Sequence, residues 1–147
     1  MNYQTTTVAI SENNQYQEES TPFDYFDASM RPQMNLGGDS MESYVRNYFA
    51  ATPILAEIAR CESHFRQYDK TGVTLQGRVD NRDTGLMQIN TGYHGAAADR
   101  LKLDLTKPAD NLAYAQYLYD KQGLQPWMSS YPCWSKALPQ SQTVAVK

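Results

Sequence analysis

The sequence predicts one α+β domain that is predominantly α-helical and contains a small β-hairpin region. Three stretches carry apolar residues at helical spacing, and the stretch between the second and the third is rich in turn residues. The chain has 147 residues, which suffices for one domain with a substantial core but not comfortably for two. We expect that domain at 39–135, between a disordered or loosely attached leader at 1–38 and a C-terminal tail at 136–147.

Charge and hydropathy argue against two classes of partner. The chain carries 13 basic and 16 acidic residues, a net charge of −3, and the acidic excess falls within 1–38. The sequence shows no basic stripe of the kind that binds nucleic acid. It also has no apolar run near the roughly 18 to 20 residues that cross a bilayer. We therefore expect no nucleic acid as partner and no membrane span.

The first two helices have recognisable start signals. Asp39 or Ser40 can cap a first helix that runs to about residue 50. Thr52 as N-cap and Pro53 at the first helical position predict a second helix that runs to about residue 66.

The region after the second helix changes character. Turn residues in 68–85 surround Val73, Leu75 and Val79, which alternate as in a short hairpin and predict a small irregular β-region. A short helix is expected within 94–101, and a longer one begins near Pro108 and stops at Gly123.

The second predicted helix carries a carboxylic acid where an apolar residue is expected. Leu55, Ile58, Glu62 and Phe65 fall three, four and three residues apart, which places them on one helix face. Glu62 lies either at the solvated rim of this face or against apolar surface. In the second case desolvation raises the pKa of the carboxyl and makes it a general acid near neutral pH. Helical spacing alone does not separate these interpretations.

Glu62 also begins a motif found in a known family. The letters E-S-H-F at 62–65 and G-L-M-Q-I at 85–89 resemble the E-S-x-F and G-L-M-Q-I signature of the soluble lytic transglycosylase domain of the lysozyme-like superfamily. Asn111, ahead of a helix bearing Y-L, is similar to a third family feature. The resemblance implies a lysozyme-like fold that cleaves the β-1,4 bond between N-acetylmuramic acid and N-acetylglucosamine in peptidoglycan, without cofactor. Glu62 takes the place of the single acid/base residue.

The resemblance implies substrate-binding roles for further residues. Gln88 and Asn90 take places on the cleft wall that contact sugar, and Ser63 neighbours the acid in the family motif. Either Tyr114 or Tyr117 supplies the tyrosine that the family keeps near the catalytic carboxyl. The chain departs from the family pattern at 126–134, where P-W-M-S-S-Y-P-C-W stands in place of A-Y-N-x-G.

Asp83 keeps a second mechanism open. The letters D-T-G-L-M-Q-I-N at 83–90 resemble the D-x-G-I-L-Q-I-N of animal-type lysozymes, in which that Asp is the second carboxylate. Hydrolysis by Glu62 and Asp83 is therefore the alternative, unless Asp83 only pins a turn. A transglycosylase needs one carboxylate, and the E-S and G-L-M-Q motifs favour that mechanism. An alternative of another class is an inactive sugar-binding module on the same fold.

The remaining histidines and aromatic residues carry weaker signals. His64 and His94 have no metal-ligand spacing and are expected at the surface or as caps, so we expect no metal. Tyr93, Trp127 and Trp134 can stack on sugar rings, but positions in the core are favoured.

Cys61 and Cys133 are either two buried thiols or one disulfide. The peptidoglycan glycan strands implied as partner lie outside the cytoplasm, where oxidation is favoured, so the resemblance favours a Cys61–Cys133 disulfide. The same substrate implies an extracytoplasmic location, although the letters M-N-Y-Q-T-T-T-V-A-I-S-E-N-N-Q at 1–15 lack the features of a secretory signal. We expect a monomer.

Overall fold

A computed structural model describes residues 40–139, so the expected leader and residues 140–147 of the expected tail lie outside the described residues. The described chain is predominantly helical with a small two-stranded antiparallel sheet, which confirms the α+β class. The elements in chain order are α1 (Met41–Tyr48), α2 (Pro53–Ser63), β1 (Asp83–Thr84), β2 (Ile89–Asn90), α3 (Thr91–Arg100), α4 (Pro108–Gln122), a 3-10 helix (Gln125–Ser130), α5 (Tyr131–Trp134) and a 3-10 turn (Ser135–Ala137).

The predicted starts of the first two helices are confirmed, except that the Thr52 side chain does not cap the second one. Ser40 Oγ accepts a hydrogen bond from the backbone N–H of Ser43 at 3.1 Å, as an N-cap does. Pro53 occupies the first position of α2, and Thr52 stands at the N-cap. The Thr52 hydroxyl does not cap the helix, because it donates instead to Gln116 Oε1 of α4 at 2.9 Å.

Helix α2 ends at Ser63, three residues before the expected end near 66. His64 and Phe65 adopt left-handed backbone conformations, with φ of 54° and 59°, and these stop the helix. Ser63 Oγ then accepts from the backbone N–H of Arg66 at 3.1 Å. Glu62 therefore lies in the last turn of α2, near the C-terminal end of the helix.

The β-region is smaller than the predicted alternation suggests. Strands β1 and β2 lie on either side of the G-L-M-Q turn, with Asp83 opposite Asn90. Val73 and Val79 are 61% and 104% exposed, so they do not form a core face. Asp69 Oδ1 accepts hydrogen bonds from two backbone N–H groups downstream, which gives this segment local turn partners instead of a continuous strand ladder.

A buried asparagine of α4 holds the G-L-M-Q turn in place. Asn111 Oδ1 accepts from the backbone N–H of Met87 at 3.0 Å. Its Nδ2 donates to the carbonyl oxygens of Thr84 at 3.0 Å and Leu105 at 2.9 Å. Asn111 is fully buried, so the turn and α4 are joined through polar groups that have no access to water.

Gln67, which sequence reasoning did not single out, supports the same turn. Its Oε1 accepts from the backbone N–H of Leu86 at 3.0 Å. Gly85 has a φ of 71°, and a Cβ at this position would lie 2.6 Å from the Gln67 amide and 2.7 Å from Asn111 Nδ2. Glycine is therefore required here by both conformation and space.

The C-terminal elements close the core and carry the disulfide. Cys61 and Cys133 are joined, which confirms the predicted bond and connects α2 to α5. Trp127 and Trp134 are buried, in agreement with the favoured core positions. Leu138, which lies in the expected tail, is half-buried against the core. None of the helices within residues 40–139 combines the length and the apolar character needed to span a membrane.

Candidate active site

A cleft of about 270 Å³ lies beside Glu62. Its walls come from the end of α2, from the segment between β1 and the first turn of α3, from α4 and from the 3-10 helix. The Trp127 indole N–H donates to the carbonyl oxygen of Met87 at 3.0 Å, which ties the 3-10 helix to the G-L-M-Q turn. The cleft is thus framed by elements that hydrogen bonds hold together.

A larger cavity of about 790 Å³ has different walls. Arg82 and Thr84 line the larger cavity, whereas Asp83 between them lines the cleft, as expected for alternating residues of an extended segment. The larger cavity does not include Glu62. We place the candidate chemistry in the smaller cleft, because it holds the perturbed carboxyl described next.

Glu62 lies half-buried on the wall of the cleft, while Leu55 and Ile58 of the same helix face are fully buried. Burial raises the pKa of the Glu62 carboxyl, and this effect outweighs the hydrogen bond from Ser130, which lowers it. The negative charge of Asp83 raises the pKa further. This environment favours the interpretation of Glu62 as a carboxyl held against apolar surface over that of a solvated rim residue.

Ser130, at the end of the 3-10 helix, provides the hydroxyl nearest to this carboxyl. The distance between Ser130 Oγ and Glu62 Oε1 is 2.6 Å. Ser130 belongs to the segment 126–134, where the chain departs from the family pattern. Sequence reasoning missed this residue, because Ser130 lies 68 positions from Glu62 and serine carries no local signal.

The tyrosines expected near the Glu62 carboxyl are Tyr114 and Tyr117. Neither Tyr114 nor Tyr117 lines the cleft. Tyr114 is buried in the core with its hydroxyl 3.2 Å from His94 Nδ1, and the Tyr117 ring lies 5.6 Å from that of Tyr114. The hydroxyl bonded to Glu62 is that of Ser130, and a tyrosine near this carboxyl stays a prediction.

Asp83 and Asn90 line the cleft as a hydrogen-bonded pair. Asn90 Nδ2 donates to Asp83 Oδ1 at 2.8 Å and to Asp80 Oδ2 at 3.0 Å. Asn90 Oδ1 accepts from the backbone N–H of Gly92 at 3.0 Å and so caps α3. Both hydrogens of the Asn90 amide are therefore engaged with carboxylates. Asn90 orients Asp83, and the Asp83 side chain does not bond to a backbone N–H as a simple turn residue would.

Gln88 lies where the resemblance implies, on the cleft wall. It has a left-handed backbone conformation with a φ of 47°, and its Nε2 donates to the carbonyl oxygen of Gly85 at 2.8 Å. This bond fixes the direction of the side chain, because it closes a ring across the turn. The amide oxygen is left as an acceptor that can meet a sugar hydroxyl.

Ser63 does not line the cleft, and its role in substrate binding stays a prediction. It is 1% exposed, and its hydroxyl donates to the carbonyl oxygen of Ala59 at 3.1 Å. The residue that follows Glu62 on a helix points about 100° away from it. The serine of the E-S motif therefore forms its hydrogen bonds within the end of α2.

Two residues of α3 were assigned weaker roles than their positions indicate. Tyr93 is 77% exposed and lines the cleft, so the favoured core position was wrong and its ring is available for stacking. The Arg82 guanidinium lies 5.7 Å from the centre of this ring.

His94 also lines the cleft, and burial lowers its pKa, which favours the neutral imidazole near neutral pH. His64 is the C-cap of α2, in agreement with the prediction for it.

Comparisons with known proteins add no assignment. A scan against protein-family models, a search of curated proteins and a search of solved structures each find no match. Among residues 40–139, no group of three or more His, Cys, Asp or Glu side chains could hold a metal ion. The assignment of the candidate site therefore rests on the geometry of the cleft and on the two short sequence motifs.

Proposed function

We propose that this chain is a lytic transglycosylase that cleaves the β-1,4 bond between N-acetylmuramic acid and N-acetylglucosamine in peptidoglycan. The observation that carries the proposal is Glu62, whose half-buried carboxyl has a raised pKa and borders a cleft. A carboxyl whose pKa is raised keeps its proton to higher pH and can donate it to a glycosidic oxygen. The Glu-Ser and Gly-Leu-Met-Gln motifs supply the substrate class, by resemblance.

In the proposed reaction Glu62 serves first as acid and then as base. The protonated carboxyl gives its proton to the glycosidic oxygen, and the bond from that oxygen to C1 breaks. The N-acetyl oxygen of the substrate stabilises the positive charge that develops at C1. The Glu62 carboxylate then takes the proton of the C6 hydroxyl, whose oxygen bonds to C1 and closes the 1,6-anhydro ring. This second proton transfer returns Glu62 to its neutral, protonated form.

The proposal extends to fold, location and substrate contacts. The α+β architecture and the disulfide support a lysozyme-like domain that works outside the cytoplasm. We propose that it works as a monomer. Gln88 supplies a fixed amide on the cleft wall, and the exposed Tyr93 ring supplies a flat apolar surface. Sugar rings have both hydroxyl groups and C–H faces, which suit these two kinds of contact.

A hydrolase of the lysozyme type is a second candidate, and one observation favours it. Asp83 lines the same cleft as Glu62, and its charge contributes to the raised pKa of Glu62. Two carboxyl groups with different environments are the usual equipment of a hydrolysing glycosidase. In that mechanism Asp83 would act as nucleophile or as base.

Mass spectrometry of digested peptidoglycan tests the proposal. We expect muropeptides that end in 1,6-anhydro-muramic acid, each lighter by one water than a hydrolysis product. We expect Asp83→Asn to remain largely active, because the anhydro ring forms without a second carboxylate. Reducing ends together with an inactive Asp83→Asn variant would favour the hydrolase. Binding of glycan strands without any cleavage would instead indicate an inactive sugar-binding module.

A further inference from the structure

The Ser130 hydroxyl has one hydrogen and two acceptors within reach. Glu62 Oε1 lies at 2.6 Å, and the carbonyl oxygen of Trp127 lies at 3.1 Å. Hydrogen bonds from hydroxyl to oxygen are usually about 2.5–3.0 Å long. The Trp127 carbonyl already accepts from the Trp134 indole N–H at 2.9 Å. The shorter contact therefore assigns the Ser130 hydrogen to Glu62.

The two oxygens of the Glu62 carboxyl therefore differ. Oε1 accepts from Ser130, whereas Oε2 has no hydrogen-bond partner within residues 40–139. An oxygen that accepts a hydrogen bond does not carry the acidic proton along the same line. The proton of the neutral carboxyl then belongs on Oε2, and Oε2 is left available to a ligand in the cleft.

We propose that Ser130 is a positioning residue for Glu62, which keeps the catalytic proton on Oε2 and stabilises the carboxylate once the proton has left. This inference rests on the proposed function, because it assigns a role within that reaction. Ser130 donates to Oε1 in both protonation states and so serves the acid step and the base step alike.

The surrounding structure holds Ser130 in this position. The indole of Trp127, three residues earlier, is bonded to the carbonyl oxygen of Met87 on the G-L-M-Q turn. Cys133, three residues later, is bonded to Cys61, the neighbour of Glu62. The segment that carries Ser130 is thus connected to the turn on one side and to α2 on the other.

The test compares the titration of Glu62 with the pH dependence of activity in the full chain. The side-chain carboxyl of Glu62 is followed by ¹³C NMR, and its signal is assigned by its loss in Glu62→Gln. Asp83 from β1 and Tyr93 and His94 from α3 also line the cleft, and they are the same in every variant compared. Cleavage of peptidoglycan is measured over the same pH range.

We expect Ser130→Ala to raise the pKa of Glu62, because the carboxylate loses the hydrogen bond that favours its charged form. The basic limb of the activity profile should move to higher pH, since the acid step needs protonated Glu62. Activity at the optimum should fall about tenfold or more, as expected for a lost hydrogen bond to a charged group. Ser130→Thr, which keeps a hydroxyl, should restore both properties.

Two further comparisons separate this role from a structural one. Ser63→Ala removes the hydroxyl next to Glu62 in the chain and should lower the melting temperature without moving the titration of Glu62. Ser130→Thr and Ser130→Val differ only by hydroxyl and methyl, so this pair serves if Ser130→Ala does not fold.

An unchanged Glu62 titration in a folded Ser130→Ala or Ser130→Val variant would overturn the proposal. A shifted titration with activity unchanged at every pH would overturn it as well. An inactive wild-type chain would overturn the proposed function. The titration of Glu62 would still show, independently, whether Ser130 donates a hydrogen bond to this carboxyl.

Discussion

At Glu62, the burial that suits a candidate acid also lowers the stability of the fold. Leu55 and Ile58 on the same face of α2 are fully buried, whereas Glu62 is half-buried with one oxygen bonded to Ser130. Burial disfavours the charged form, which raises the pKa of the carboxyl. The same desolvation that produces a useful acid therefore reduces the stability of the folded chain wherever Glu62 is ionised.

This opposition gives a prediction for Glu62→Gln. Activity should fall by about 10²–10⁴-fold or more, as for the loss of a general acid. The pKa of Glu62 is higher in the folded chain than in the unfolded chain. The stability from the neutral carboxyl is therefore fully present below the unfolded pKa and is lost as pH rises through the folded pKa. Glutamine stays neutral, so the variant should melt above the wild type at neutral pH.

Melting curves of both proteins at several pH values measure this effect. The difference in melting temperature should grow with pH across the titration of Glu62 and then level off. A constant difference at every pH would show that the Glu62 carboxyl is not perturbed by folding. Activity of Glu62→Gln close to that of the wild type would remove Glu62 from the mechanism.

At the scale of elements, the position of the G-L-M-Q turn depends on buried polar side chains. Asn111 on α4 makes hydrogen bonds to the backbone of Met87, Thr84 and Leu105, and it is fully buried. These bonds replace the ladder partners that a two-residue strand cannot supply. The turn carries Gln88 into the cleft, so a side chain in the core determines where a wall residue lies.

We predict that Asn111→Ala is strongly destabilising. The substitution leaves the Met87 N–H and the Thr84 carbonyl without this partner, at about 1–3 kcal/mol each. The Leu105 carbonyl keeps its hydrogen bond from Gln67 Nε2. The free energy of unfolding in urea should therefore fall by about 2 kcal/mol or more. Gln116→Ala on the same helix is the matched control, because Gln116 is only half-buried and should cost about 1 kcal/mol or less. Similar losses for the two variants would contradict the role given to Asn111.

The elements that sequence predicted well are those with local signals. Ser40 caps α1, Pro53 begins α2 and Gly123 follows the end of α4, and each effect acts within a few residues. The end of α2 was placed three residues too late, because the left-handed conformations of His64 and Phe65 are not encoded by glycine.

The β-region was predicted less well for a related reason. Asp69 and Asp80 accept hydrogen bonds from nearby backbone N–H groups, so 68–85 contains turns and two isolated antiparallel bridges, Tyr68 with Thr74 and Gln76 with Thr84, instead of a continuous ladder. Gln67 was missed entirely, because its partners on the turn and at Leu105 lie 19 and 38 positions away.

At the scale of the whole molecule, the cleft depends on contacts between distant parts of the chain. The motifs at 62–65 and 83–90 predicted roles for Glu62, Asp83, Gln88 and Asn90, and all four line the cleft. Ser130 has no motif and meets Glu62 only through folding of the C-terminal segment. Tertiary pairing of this kind cannot be inferred from one sequence, since many serines fit the same local pattern.

The disulfide is the covalent counterpart of this long-range pairing. Cys61 precedes Glu62, and Cys133 lies three residues after Ser130, so the bond joins the two segments that carry the Glu62–Ser130 contact. Half-buried side chains such as Phe65 and Tyr131 pack against the core near these two segments. The disulfide therefore restricts the unfolded chain. In the folded chain it also connects the two segments that place Ser130 beside the candidate acid.

We predict that reduction, or a double Cys61→Ser and Cys133→Ser substitution, lowers the melting temperature markedly. The two cysteines are 72 positions apart. Closing a loop of this length restricts the unfolded chain by about 4 kcal/mol in the chain-entropy estimate, a large share of the roughly 5–15 kcal/mol that stabilises a domain. Activity at moderate temperature should fall only with the folded fraction, since neither sulfur takes part in the chemistry. Thermal melts with and without reductant measure the change, and the double variant, measured in the same way, should no longer respond to reductant. Two free thiols in denatured, unreduced protein prepared under oxidising conditions would contradict the bond, and an unchanged melting temperature would contradict its contribution to stability.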